Sequence, residues 1–417
     1  MCSSNYQPSS IFICNLQYDF ENNENHNKCH HNTGTYSRKQ KHQHELIVCH
    51  ILSGQHEQPI TSFDWSVSAN NKHRHAGDEN EDERCSSQSS SHSGCNSGAN
   101  DGHIVTCGED SRVFVWTFHS NFNGTDTPLS VSSSMSSSAS WIATQVLLQQ
   151  SVCLTPLDCQ WDTSGENFAL GMGGNHRTAS VEICYYENDD VGWTSQQIGR
   201  RKIKSSVLCV AWYPRNRKRN NKIDLIACGG CDYRCRMFCT EKSSKGDRRI
   251  NFGDQCAEFN TNGKGWVISV AWSSSGNHLA FTSQKSCVFI VDCTCLQESS
   301  SASYESLFQN TVPIVVNMIE YLPIRSILFL NEDNIAMGGY DGSFATLEHR
   351  GEKRWEVQVD SELCNGLKMM GLSKENKHDS SKSSIICMNM ILSKQKTRQE
   401  TNCSIIVSGS EGLFDIW

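Results

Sequence analysis

Residues 104–116 read Ile-Val-Thr-Cys-Gly-Glu-Asp-Ser-Arg-Val-Phe-Val-Trp. A run of β-branched and small residues, a Gly-Glu-Asp-Ser break and a second run of alternating apolar residues describe one strand, a tight turn and an antiparallel partner. The same sentence returns along the chain. Residues 226–238 read Ile-Ala-Cys-Gly-Gly-Cys-Asp-Tyr-Arg-Cys-Arg-Met-Phe, residues 335–347 read Ile-Ala-Met-Gly-Gly-Tyr-Asp-Gly-Ser-Phe-Ala-Thr-Leu, and residues 405–417 read Ile-Ile-Val-Ser-Gly-Ser-Glu-Gly-Leu-Phe-Asp-Ile-Trp. Degenerate copies span Phe168 to Tyr185 and Leu279 to Val291.

A shorter apolar run ending in an aromatic residue precedes these copies: Ile60 to Trp65, Leu157 to Trp161, Val207 to Trp212, Val267 to Trp272 and Ser326 to Phe329. Four of those aromatics, Trp161, Trp212, Trp272 and Phe329, lie 51, 60 and 57 residues apart. Short strands repeated with an Asp-containing turn and a terminal Trp are the signature of WD units, which ordinarily run ~40–45 residues, so each unit here carries extra loop. Units starting near residues 58, 155, 206, 265, 324 and 384, with a fragmentary one holding Ile11 to Phe20 and Glu45 to Leu52, predict a seven-bladed WD40 β-propeller. The expected architecture is all-β, one propeller over residues 1–417 with an incomplete first blade.

Two stretches break the pattern. Residues 67–101, which include Ser86-Ser-Gln-Ser-Ser-Ser-His-Ser, and residues 119–140, Ser-rich from 130 onward, hold too little apolar surface to order themselves and are read as disordered insertions. Residues 361–384 form a third, divergent insertion before the last unit.

Composition narrows the function classes. A formal charge of -8, from 37 basic and 45 acidic residues, does not describe a polycation that seeks nucleic acid, so any basic site must be local. The 22 cysteines are scattered through a long chain, many inside apolar runs such as Val207 to Val210, and read as small buried hydrophobes of a reducing, cytoplasmic setting. The first residues lack a signal-peptide pattern, and no uninterrupted apolar run approaches the ~18 residues of a membrane span, so no membrane partner is expected.

His56, Thr106, Asp110 and Trp116 stand at the offsets at which WD blades build a hydrogen-bonded tetrad, and are read as structural. No nucleophile, base and oxyanion donor can be assigned together, so an enzyme is not expected, and neither is a cofactor. Cys228, Cys231, Cys235 and Cys239 include one C-x-x-C pair, but a hairpin that alternates its faces cannot converge all four on one metal. The His-rich stretch around Cys29, His30 and His31 is read as a polar insertion, leaving no metal site. The strongest charge feature is Arg200-Arg-Lys-Ile-Lys204, followed after one strand by Arg215-Asn-Arg-Lys-Arg219. A strand of that length sends the two clusters to opposite rims.

The runs between the repeats carry a resemblance. Ser180-Val-Glu-Ile-Cys-Tyr-Tyr-Glu-Asn-Asp-Asp-Val-Gly-Trp193, Lys202 to Pro214, Cys231-Asp-Tyr-Arg-Cys-Arg-Met-Phe238, Asn251-Phe-Gly-Asp254 and Gly265-Trp-Val-Ile-Ser-Val-Ala-Trp-Ser-Ser-Ser-Gly276 are non-generic and colinear. Together, over roughly residues 45 to 350, they resemble the WD-repeat subunit (subunit 1) of the actin-related protein 2/3 complex. The resemblance implies a non-catalytic scaffold of the assembly that nucleates branched actin filaments. Its partners would be the other subunits of that complex, the acidic tails of activators and, weakly or indirectly, the actin filament, because 361–384 is shorter than the family's filament-gripping insertion. Arg200, Arg201, Lys202 and Lys204 are the candidate activator-binding residues. Both ends of the chain are short against the family pattern. The alternative is a generic WD-repeat adaptor in another protein or ribonucleoprotein assembly, which the fold alone permits equally.

Overall fold

The computed structural model describes residues 11–18, 44–66, 102–119, 140–149, 154–214, 224–241, 251–298, 307–318, 323–340, 344–351, 354–358, 385–393, 402–409 and 414–416. Their strands form seven antiparallel sheets. The first pairs β1 (Ile11–Tyr18) with β2 (His44–Leu52). Five four-stranded sheets follow: β3 (Ile60–Trp65), β4 (His103–Gly108), β5 (Val113–His119) and β6 (Ser140–Gln145); β7 (Pro156–Trp161), β8 (Asn167–Met172), β9 (Val181–Tyr186) and β10 (Trp193–Ile198); β11 (Val207–Trp212), β12 (Leu225–Gly230), β13 (Arg234–Cys239) and β14 (Gln255–Asn260); β15 (Val267–Trp272), β16 (His278–Ser283), β17 (Cys287–Asp292) and β18 (Ile314–Asn317); and β19 (Ile324–Phe329), β20 (Asn334–Gly339), β21 (Phe344–His349) and β22 (Trp355–Gln358). The last sheet is three-stranded: β23 (Ile385–Ser393), β24 (Asn402–Gly409) and β25 (Phe414–Ile416). The inner strands begin within two residues of the unit starts read from the sequence. Insertions 67–101 and 361–384 lie outside the described residues, as does 119–140 apart from His119 and Ser140.

In each full sheet the strands lie in chain order, and the first strands β3, β7, β11, β15, β19 and β23 pack side by side. This is the arrangement of propeller blades. One irregularity repeats six times: the register slips two residues into each first strand, at Ile60/Ser62, Pro156/Asp158, Val207/Cys209, Val267/Ser269, Ile324/Ser326 and Ile385/Cys387. A bulge there adds twist and bends each strand where it enters its blade.

The free edges of the first strands would leave backbone N–H groups bare, and neighbouring side chains cover them. Asp64 accepts from the Trp161 N–H at 2.7 Å, Asp158 from the Val210 N–H at 2.9 Å, and Gln160 from the Trp212 N–H at 2.8 Å. Thr61 donates to the Pro156 carbonyl at 2.7 Å, and Thr282 to the Ile324 carbonyl at 3.0 Å. Each of these bonds crosses from one blade to the next.

The core is distributed between the blades. Val105, Val115, Trp161, Phe168 and Trp193 fill one interblade layer, and Ile183, Val207, Ile226 and Phe238 fill the next. Met237, Phe259, Phe281 and Phe289 make up a third, and Ile290, Ile335, Leu347 and Trp355 a fourth. Truncating one of the fully buried phenylalanines to Ala would cost about 3–5 kcal/mol. Gly229 is required by this packing, since a Cβ there would overlap Val267 of the adjoining blade. Leu52, at the end of β2, packs on Ile104, Phe114 and Trp116, tying the two-stranded sheet to the first full blade.

Candidate functional site

Strand alternation places the start of every first strand and the turn between every second and third strand on one rim. Backbone hydrogen bonds join the two: the Cys231 N–H donates to the Ser206 carbonyl at 3.0 Å, the Lys285 N–H to the Lys264 carbonyl at 3.0 Å, and the Glu109 N–H to the Pro59 carbonyl at 2.9 Å. The tetrad residues meet at this rim. His56 Nε2 lies 2.9 Å from Thr106 Oγ1, the Trp116 indole N–H donates to the same oxygen at 3.0 Å, and His56 Nδ1 lies 3.1 Å from both Asp110 carboxylate oxygens. His56, Thr106 and Trp116 are buried. Burial would push the Asp110 carboxyl up, but hydrogen bonds from His56 and the Glu57 and Arg112 N–H groups outweigh it and hold the group below its ordinary value. Gly108 makes room: a Cβ there would stand 2.6 Å from His56 Nδ1 and 2.8 Å from Asp110 Oδ1. The arrangement fixes the β4–β5 turn to the chain entering β3.

Arg200, Arg201, Lys202 and Lys204 occupy the turn from β10 to β11, and all four are exposed. The turn reverses through Gly199 and Arg201, both at positive φ (74° and 68°), and is closed by the Lys202 and Ile203 N–H groups donating to the Gly199 carbonyl at 3.0 and 2.9 Å. Ile203 is buried and anchors it. The Lys204 N–H donates to Asp232 at 3.0 Å, and its ammonium folds back onto the Arg201 carbonyl at 2.6 Å. Among the described residues none of the four side chains is in an ion pair, so their charge faces solvent. The companion cluster Arg215 to Arg219 lies outside the described residues.

Along the same rim the next blades add exposed Lys285, partly exposed Lys264 and Arg325, and three aromatic residues left open, Tyr233, Trp266 and Tyr340 at 46%, 41% and 41% exposure. Arg325 sits over the Tyr340 ring, 5.2 Å from its centroid. Among the described residues this sector is cationic, and the one carboxylate at the basic turn, Asp232, is already engaged by Arg236 at 2.8 Å.

Arg236 is a residue that the sequence reading passed over. It is 2% exposed and held between Asp232 and Glu258, the latter at 2.8 Å, while Arg234 also pairs with Glu258. Its signal lay in comparing the repeats: counted from the turn Asp, Arg236 stands where Phe114 stands in the first full blade. Of the four hairpin cysteines, Cys228, Cys235 and Cys239 are buried, with Cys228 opposite Arg236 and Cys239 opposite Leu225. Burial pushes the Cys228 thiol up to about 12 and Cys239 to about 11, so they behave as apolar packing groups.

The fold and its rim define a WD40 β-propeller. In keeping with that, the chain superposes on Sqt1 of Chaetomium thermophilum, solved bound to the N-terminus of the ribosomal protein L10, with a TM-score of 0.52 at 13% identity, covering 89% of this chain and 75% of that one. That likeness speaks to the fold alone. Among curated proteins the chain is similar to actin-related protein 2/3 complex subunit 1. It is 30% identical to subunit 1A-B of Xenopus laevis over 247 residues, 57% of this chain and 54% of that protein. It is 25% identical to subunit 1A of Arabidopsis thaliana over 424 aligned positions, 93% of this chain and 89% of that protein. The chain thus spans about half the length of the first curated relatives it matches. No family model matches.

Proposed function

We propose that the chain is a non-catalytic scaffold subunit of an actin-related protein 2/3 complex, working in the cytoplasm at the actin cytoskeleton beside the other subunits of that complex. The observation that carries this reading is the similarity to plant subunit 1A along 93% of the chain. The tetrad fits a fold-building role, since His56, Thr106, Asp110 and Trp116 satisfy one another and leave no group free to act on a substrate. Purifying the tagged chain from its own cells and identifying its partners tests the proposal. The actin-related proteins and small subunits should co-purify in equal amounts. Recovery with a processing enzyme or a ribonucleoprotein in their absence would favour the generic adaptor.

Within that reading, Arg200, Arg201, Lys202 and Lys204 receive the acidic tail of an activator. Four exposed cations on one short turn supply this, each contributing about 0.3–1 kcal/mol and mainly setting encounter rate and salt sensitivity. Replacing all four with Glu should weaken tail binding by at least about tenfold at low salt and leave assembly intact. Wild-type affinity should fall as salt rises through about 0.15 M, where screening acts within ~8 Å. Unchanged tail binding in a correctly assembled variant would return the turn to an ordinary solvated loop.

A further inference from the structure

The basic turn ends in two hydroxyls of different standing. Ser206 is built into the fold: its Oγ accepts from the Gly174 N–H at 3.0 Å and donates to the Gly174 carbonyl at 3.2 Å. Ser205, one residue earlier, is only partly buried, and its hydroxyl bonds to no described residue. Arg200, Arg201, Lys202 and Lys204 precede it by five, four, three and one positions, and all are exposed. Protein kinases select substrates partly by such charge patterns, and a hydroxyl that the fold does not use can be modified without loss of a structural bond.

We propose that Ser205 is a phosphorylation site for a serine/threonine protein kinase that reads basic residues on the N-terminal side, and that its phosphate switches off anion docking at the turn. The kinase transfers the γ-phosphoryl group of ATP. A P–O bond to Ser205 Oγ forms as the β,γ-bridging bond breaks, the hydroxyl proton passes to the kinase's base, and ADP leaves. Ile203 anchors the turn in the core, but the residues around it are held only by two N–H bonds to one Gly199 carbonyl, one N–H bond to Asp232 and the Lys204 ammonium on the Arg201 carbonyl. Arg201 is in a left-handed conformation that non-glycine residues seldom adopt, so the exposed part of the turn can be presented to a kinase. The phosphate brings a charge of about -1.5 to -2 into a group of four cations, cancelling close to half of it. The nearby carboxylate of Asp232 is already neutralised by Arg236, so the phosphate interacts chiefly with the lysines and arginines of the turn. The regulatory half of the proposal rests on the docking role given above; the modification itself does not.

The test uses the full chain in its purified assembly, incubated with magnesium-ATP and the catalytic subunit of a kinase that prefers basic substrates, with sites mapped by mass spectrometry. Phosphate should appear on Ser205, be absent from that peptide in Ser205→Ala, and form at least about tenfold more slowly when Arg200, Arg201 and Lys202 are replaced with Ala. An unmodified Ser205 in the native assembly, or an equal rate in the triple variant, overturns the site. Binding of a fluorescein-labelled oligo-glutamate peptide at low salt should then weaken about fivefold or more on phosphorylation. Equal affinity before and after overturns the switch. If the unmodified chain does not bind the peptide at all, the docking role fails, and with it the switch, while the mapping result still decides the site.

Discussion

Asp64→Asn is expected to stabilise the propeller in a pH-dependent way. Burial pushes the Asp64 carboxyl up to about 7 from an ordinary 3.8, against the pull of hydrogen bonds from the backbone N–H groups of Trp161 and Trp65, and the charge of Asp158 adds to the rise. Asp158, in the next blade, is itself pushed up to about 6 by burial. Because the folded value exceeds the unfolded one, the native state holds its proton between about pH 4 and pH 7 while the unfolded chain has released it. Stability from this group is therefore greatest in acid and is lost as pH rises through that window. At about 1.4 kcal/mol per unit, the full penalty at pH 8 has a ceiling of about 4 kcal/mol. Asp64 keeps part of its surface in solvent, so about 1–3 kcal/mol is the working figure. Asn retains an oxygen to accept the Trp161 N–H, now at 2.7 Å, and cannot ionise. Thermal melting of the assembled protein should show wild type and variant within about 1 °C at pH 5 and the variant roughly 2–6 °C higher at pH 8. A difference that does not change with pH, or a variant less stable at pH 8, would refute the reasoning.

Thr106→Val keeps the shape of the side chain but removes the hydroxyl that stands between His56 Nε2 and the Trp116 indole; leaving that buried indole N–H without its acceptor and His56 Nε2 without its donor should cost about 2–4 kcal/mol, read as a lower Tm. Arg236→Met leaves the buried Asp232 without its cation, while Glu258 keeps Arg234, and should destabilise by about 3 kcal/mol, whereas changing the exposed Arg200 to Met should shift Tm by less than about 1 °C. His278 packs edge-on against Trp355 at 5.8 Å and near His349 at 5.9 Å. Burial holds its imidazole below its ordinary value, with His349 pushing the same way and Asp292, Glu332 and Asp333 opposing. Its native form thus binds fewer protons than the unfolded chain, and stability present at neutral pH is lost as pH falls below about 6.5. His278→Phe should flatten the fall in Tm between pH 7.5 and pH 5.5; an unchanged slope would assign that fall to other groups.

The fold was legible because each blade repeats one local sentence: a short apolar run, a small-residue strand, a turn at Asp or Gly, and an alternating strand. Asp110 and Asp232 mark turns, and Trp161, Trp212 and Trp272 mark strand ends, whatever surrounds them. The tetrad was legible for the same reason, its members being fixed by offset. What escaped was set by neighbours in space. The repeated bulge follows from how a first strand meets its own blade and the next one, and nothing in Thr61, Leu157 or Leu208 announces it. The bridging roles of Asp64 and Asp158 depend on which blade each side chain faces. Tyr233, Trp266 and Tyr340 look like core residues by type, and only the rim topology leaves them open.

The most direct measurement of the central claim is branch formation by the purified complex with and without this chain. The complex would be isolated from cells in which the chain can be depleted, and actin branches counted by fluorescence microscopy in the presence of an activator. Depletion should abolish branching or the assembly itself, and adding back the chain should restore both. Full branching by an intact complex that lacks the chain would contradict it.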